Sequence, residues 1–263
     1  MILLLDKLQE DDFAVLRGPF ESGRQRPNSL GGMLAFSILL QLLMFVLTYV
    51  VAADSTYFPY ADIVFVIHSM VTATLILLSI IFSFPKVYMS LQKTQYFIVI
   101  LVSQNLFSLY LYISALFLLK SDVSGMDVTF DALFTFMYVT LVVGFLVFII
   151  TSFRFYVLLK KGFYRKGSSK DKLRSNFEGK INIPTVIVAS MGLTYIIQFI
   201  AQNSYTLEVE VIGVIIIGPI LFFTMLFVLP EQLVILYCKY RFESFNFDKD
   251  GNLKPMGSER KDD

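Results

Sequence analysis

The chain has 263 residues, 56% of them hydrophobic, with one histidine, one cysteine and a net charge of +1. So apolar a composition leaves no room for a folded domain beside a membrane-embedded core, and a lone cysteine excludes an internal disulfide. A charge this close to neutral gives no reason to expect a nucleic-acid partner.

The first 31 residues form the N-terminal segment. Its start reads as no signal peptide, because the apolar run is short and Asp6, Glu10, Asp11 and Asp12 follow at once. Apolar positions at Leu4, Leu5, Leu8, Phe13, Val15 and Leu16 fit either a short helix on the membrane surface or a frayed terminus. Gly18, Pro19, Gly23 and Pro27 then mark an irregular lead-in.

Residues 32–242 contain six apolar stretches, at 33–53, 63–84, 96–119, 132–153, 184–201 and 211–229. Each is close to the ~20 residues that a helix rising ~1.5 Å per residue needs to cross hydrocarbon. The 22 basic residues are sorted between the connections: 4 precede the first stretch, 0, 2, 1, 9 and 0 lie between stretches, and 6 follow the last. Basic segments stay cytoplasmic during insertion. The expected fold is therefore an all-α integral membrane protein of six transmembrane helices in three hairpins, with both termini cytoplasmic. The cell membrane is the natural location.

The outer connections, 54–62, 120–131 and 202–210, are too short to fold alone or to offer a large extracellular interface. They carry seven acids against one base, Lys120. On the inner side, 154–180 holds nine bases and reads as a solvated or lipid-contacting linker, with partner docking as the sharper alternative.

Three hairpins invite a repeat comparison. The second, fourth and sixth stretches end in similar text around Pro85, Arg154 and Pro230, and the odd stretches place Gln41, Gln104 with Asn105, and Ser190 at similar depth. The pattern fits a weak threefold hairpin repeat, and low-complexity apolar sequence also produces such matches. Residues 243–263 form the tail, expected to be flexible. Within it, 246–253 resemble half a calcium loop, but Gly257 stands where a bidentate glutamate belongs, so a plain turn is the better reading.

Ionisable groups inside lipid are costly and mark function. His68 is the only histidine, and with Ser69, Thr72 and Thr74 nearby it suits either a protonation switch or a neutral imidazole bonded to a neighbouring helix. Gln41, Gln104, Asn105 and Gln198 need hydrogen-bond partners in hydrocarbon, from another helix or from a polar cavity in the bundle centre. Pro230 and Glu231 form a candidate kink or gate at the inner boundary, and Gly218 with Pro219 a second kink. Ser103, Gly192, Gly213 and Gly218 permit close helix approach.

No catalytic set, metal-ligand cluster, phosphate loop or cofactor motif stands out, so enzymatic activity is not expected. Two function classes remain. One is a transport-related protein (a permease subunit, channel or translocation partner) that relies on a separate ATPase or runs downhill, since no buried carboxylate or lysine couples it to a gradient. The other is a non-transporting interaction protein, such as a toxin-immunity or secretion and assembly scaffold component. The partners implied are the lipid bilayer, other membrane proteins and, for transport, a cytoplasmic ATPase.

Overall fold

The structure, a computed structural model, describes residues 5–172 and 209–257. Five long helices run through it: α1 (Pro27–Ala52), α2 (Ala61–Ser83), α3 (Gln92–Leu119), α4 (Phe130–Lys160) and α5 (Val209–Arg241). All five are long and apolar enough to cross a membrane, which marks the chain as an integral membrane protein. The expected stretch 184–201 lies outside the described residues, as does Ser190. Regular structure among the described residues is helical throughout, apart from two isolated bridges.

The helix ends follow from local chemistry. Pro27 opens α1, where its missing N–H costs nothing. Pro85 closes α2 by holding Phe84 in extended backbone, and a six-residue helix, Pro85–Ser90, turns the chain into α3. Thr129 Oγ1 caps α4 by accepting from the Ala132 amide at 3.2 Å. At its other end Gly162 takes φ +74°, donating to Leu159 O while Phe163 donates to Leu158 O, a Schellman closure. α5 continues unbroken through both Pro219 and Pro230. Its 33 residues span ~50 Å, well beyond a ~30 Å hydrocarbon core.

α3 is the central post. Half of its apolar window is buried, against 17% for α4 and for α5. α1 and α2 pack on one side of it through Leu34, Leu75, Phe82, Ile98, Val102 and Tyr110. α5 packs on the other side and comes close at Gly218, where a Cβ would meet Leu111 O at 2.5 Å. α4 rests on α5, with Gly144 against the Phe222 ring. Gly218 thus serves the close approach expected of it, whereas a Cβ at Gly213 would meet nothing within 4 Å among the described residues.

One end of the bundle is closed by both terminal segments. Residues 10–17 form a 3₁₀ helix with Gln9 and Asp12 as a reciprocal cap, and Phe13, Leu16 and Phe20 are fully buried. The segment is not a frayed end: its apolar side chains meet α3, α4 and α5 in one core with Phe245 and Phe247 of the tail. The tail was expected to be flexible from 243, yet residues 243–257 are packed here: Phe245 is fully buried, and Arg17 Nη2 donates to Lys254 O at 2.9 Å. Burial lowers the Arg17 pKa from the usual guanidinium value, against the opposing pull of Glu21 and Glu10.

The half-calcium-loop text folds as a turn. Asp248 Oδ1 accepts from the amides of Asp250 and Asn252, and Gly251 takes φ +81°. The opposite end of the bundle is held by a bridge between Thr56 and Ser121 and by the Tyr57 amide donating to Lys120 O at 2.7 Å.

The similar text at the ends of the even stretches does not give similar structure. The helix stops before Pro85 but runs on past Arg154 to Lys160, and past Pro230 to Arg241. Proline at the first position of a helix starts it, and the same residue inside a helix is carried by neighbouring packing.

Candidate functional site

A chain of polar side chains crosses the α1–α2–α3 half of the bundle, and His68 is its centre. Tyr49 Oη lies 2.7 Å from His68 Nδ1, and Asn105 Oδ1 lies 2.7 Å from His68 Nε2. Asn105 Nδ2 reaches Thr72 Oγ1 at 3.3 Å, and Tyr110 Oη donates to the same Thr72 oxygen at 3.0 Å. One neutral tautomer satisfies this whole arrangement. Asn105 spends its amide hydrogens on Thr72, so its oxygen faces Nε2, which must carry the ring hydrogen, and Nδ1 then accepts from Tyr49. The Tyr110 ring packs edge-on against the imidazole, with centroids 4.5 Å apart.

The backbone on both sides of His68 is unusual. Leu47–Ala52 of α1 and Asn105–Leu109 of α3 are π turns, each with an extra residue per turn. Tyr49 belongs to the first and Asn105 opens the second, so the two ring nitrogens of His68 tie the two π turns together. Beside them Thr48 Oγ1 and Ser114 Oγ bond at 2.8 Å. A π turn leaves helical carbonyls and amides out of register, and such turns concentrate at functional sites.

The other expected residues do not join this set. Gln104 sits next to Asn105, but one residue turns a helix by about 100°, so it faces α5. There its Nε2 lies 3.3 Å from Met225 O and 3.4 Å from Gln232 Oε1. Gln41 is fully buried, and neither atom of its amide has a hydrogen-bond partner among the described residues. The pairs Gln95 Nε2–Pro27 O and Thr48–Ser114 set the stagger of α1 on α3 and put Gln41 level with the second π turn. The polar residues thus occupy one layer, but as three separate groups rather than one central cluster.

Pro230 lies inside α5 without ending it. It removes the amide that would serve Leu226 O, and Gln104 supplies a donor one residue away, at Met225 O. Glu231 is partly buried and forms no ion pair among the described residues. Lys239, two turns further along α5, is turned into the terminal core. Its Nζ donates to Phe245 O at 2.8 Å and lies 4.6 Å from the centre of the Phe20 ring.

Sequence reasoning found His68, Asn105 and Thr72 but missed Tyr49 and Tyr110. The available signal was a phenolic hydroxyl well inside an apolar stretch, which in hydrocarbon needs a partner as surely as an amide does. Thr74 is not part of the set, since it bonds back to Met70 O on an exposed face. No protein-family model, curated protein or solved structure matches the chain.

Proposed function

We propose that the protein is a transport-related membrane subunit, a permease component or translocation partner, that works by rearranging helices α1 and α3 about His68. The observation that carries this reading is the imidazole bonded at once to two π turns. A π turn can revert to α geometry by moving one residue's worth of chain, and His68 links two such elements so that a shift in one is felt by the other. Among the described residues no buried carboxylate lies near the histidine, so the driving force is assigned to a separate ATPase or to a downhill gradient.

The six-span topology belongs to the same proposal. α4 delivers the chain to the end closed by the termini, where Tyr164 O accepts from the Val15 amide. α5 begins at the opposite end, where Ile215 and Phe222 pack with Ala52, Phe58 and Leu133. We assign the sixth crossing to the apolar stretch 184–201, which lies outside the described residues and is long enough for one span. With the bases gathered at the terminal end, both termini are then cytoplasmic, in the cell membrane.

Cysteine placed at 41, 68 or 104 in a Cys238→Ala background tests the transport reading in native membranes. Small aqueous thiol reagents should label at least one position, more slowly than a loop cysteine, as the bundle rearranges. Complete protection of all three under every condition overturns transport.

A second reading rests on α4, most of whose apolar surface is exposed and which, among the described residues, packs chiefly on α5. Such a helix suits a non-transporting interaction protein, for instance an immunity or assembly component, whose partner lies alongside it in the bilayer. Co-purification with a membrane protein but no ATPase favours this reading.

A further inference from the structure

Gln41 is the buried polar side chain that the arrangement around His68 leaves out. It is 0% exposed, and neither its Nε2 nor its Oε1 has a hydrogen-bond partner among the described residues. At that exposure no water reaches the amide either. Its neighbours in α1, Leu40 and Met44, pack with Leu75 of α2 and with Val102 and Leu106 of α3, so this stretch of α1 is seated against both helices. Gln95 and Asn246 also have an unpaired oxygen, but each keeps its nitrogen bonded, to Pro27 O at 2.9 Å and to Lys239 O at 2.8 Å. An amide that has lost water at both ends and gained no bond makes this seating of α1 a costly one.

Complementary groups stand in the same layer. Thr72 Oγ1 accepts from Asn105 Nδ2 and from Tyr110 Oη, and its own hydrogen has no acceptor among the described residues. The second π turn, Asn105–Leu109, is level with Gln41 and has carbonyls out of helical register. A donor for the Gln41 oxygen and an acceptor for its nitrogen are therefore within reach of an α1 seated differently on its neighbours.

We propose that α1 has a second seating on α2 and α3 in which the Gln41 amide is bonded, and that its unpaired state in this structure keeps the two seatings close in energy. The inference rests on the reading that α1 and α3 rearrange about His68, and it adds the residue that sets the balance. The first π turn, Leu47–Ala52, follows Gln41 in the same helix and supplies the extra length of chain that a shift needs. A transport partner that favours the second seating then has only a small difference to overcome.

Thermal unfolding of the full-length protein in detergent and spin-label distances test it together. Gln41→Leu removes the amide and should raise the unfolding midpoint by at least about 2 °C. Gln95→Leu breaks a bond that is made and should lower the midpoint, which separates relief of an unpaired amide from added apolarity. In a Cys238→Ala background, labels at Met33→Cys and Met70→Cys, on exposed faces of α1 and α2, should show two distances. Adding Gln41→Leu should leave one. A midpoint unchanged or lowered by Gln41→Leu, a single distance without it, or two distances that persist with it overturns the proposal. If cysteine at 68 or 104 is still labelled in native membranes when that happens, the transport reading stands and Gln41 has no part in it. Protection of 41, 68 and 104 from thiol reagents overturns the transport reading instead, while the two distances still decide whether α1 has two seatings.

Discussion

The polar layer around His68 and the core that closes the terminal end solve opposite problems. Around His68 the side chains are uncharged, and each hydrogen bond joins small groups on neighbouring helices. In the terminal core a lysine is fully enclosed, with Lys239 Nζ held by one carbonyl and three aromatic rings, those of Phe20, Tyr96 and Phe247. The first region contains two π turns, while the second is knitted from segments at both ends of the sequence. The contrast implies that stiffness resides at the terminal end and adjustability in the middle.

Removing a ring from the terminal core should therefore have the largest effect. Phe20 is fully buried against the rings of Tyr96, Phe245 and Phe247, so Phe20→Ala should cost about 3–5 kcal/mol in unfolding free energy. Protease should then cut within residues 242–257 much faster than in the parent. A loss smaller than that of the His68-region variants described below would reverse the assignment of stiffness.

The α3–α5 contact comes next and connects the two regions. Gly218→Leu drives a Cβ into Leu111 O and the Ala115 methyl, and should cost about 1–3 kcal/mol. At Gly213 a Cβ would meet nothing within 4 Å among the described residues, so Gly213→Leu should be close to neutral. Equal effects from the two, in thermal unfolding of the detergent-solubilised protein, would mean that α5 does not rest on α3 through Gly218.

Single hydrogen bonds between membrane helices average only about 0.6 kcal/mol, with a ceiling near ~1.7 kcal/mol. Tyr49→Phe leaves the His68 Nδ1 acceptor without its donor and should fall in that range, as should Thr72→Val. Such small values mean that the histidine layer contributes little to holding the bundle together, which is consistent with a role in positioning the π turns. The pair should be coupled through His68 and Asn105, so the double variant should cost measurably less than the two singles added. Strict additivity would show that the chain of bonds acts as independent pieces.

What could be read in the sequence divides along the same line. Hydrocarbon imposes length and apolarity on any helix that crosses it, so α1 to α5 stand out as uninterrupted apolar text. Partner choice within the bundle depends on rotation about each helix axis. That is why Asn105 could be marked as polar and buried, but not as the partner of His68 rather than of Gln41. The π turns shift that rotation mid-helix and have no compositional mark. The terminal core was the least legible, because Phe13, Phe20, Tyr96, Phe245 and Phe247 are scattered over more than two hundred positions and meet only once the bundle has formed. Three phenylalanines between 242 and 247, in a tail otherwise rich in charge, were the one hint that this segment has something to bury.

The smallest effect expected is a pH dependence confined to the tail, and it separates the tail's own turn from the core beneath it. The Asp248 carboxylate accepts from the Asn252 amide, from the Asn252 side chain and from the Asp250 amide, and these bonds hold its pKa below the usual aspartate value. A depressed folded pKa contributes stability that is present above the unfolded value, near ~4, and is lost as pH falls through the folded one. The turn should therefore loosen only in strong acid, below the usual carboxylate range. Asp248→Asn should remove that dependence while leaving Phe245 and Phe247 in place. Amide exchange at Asp250 and Asn252, followed from neutral to acid pH, reads this directly. If exchange at Phe245 rises in step with exchange at Asn252, then the turn and the terminal core open as one unit, and the rigidity assigned to that end depends on its outermost turn.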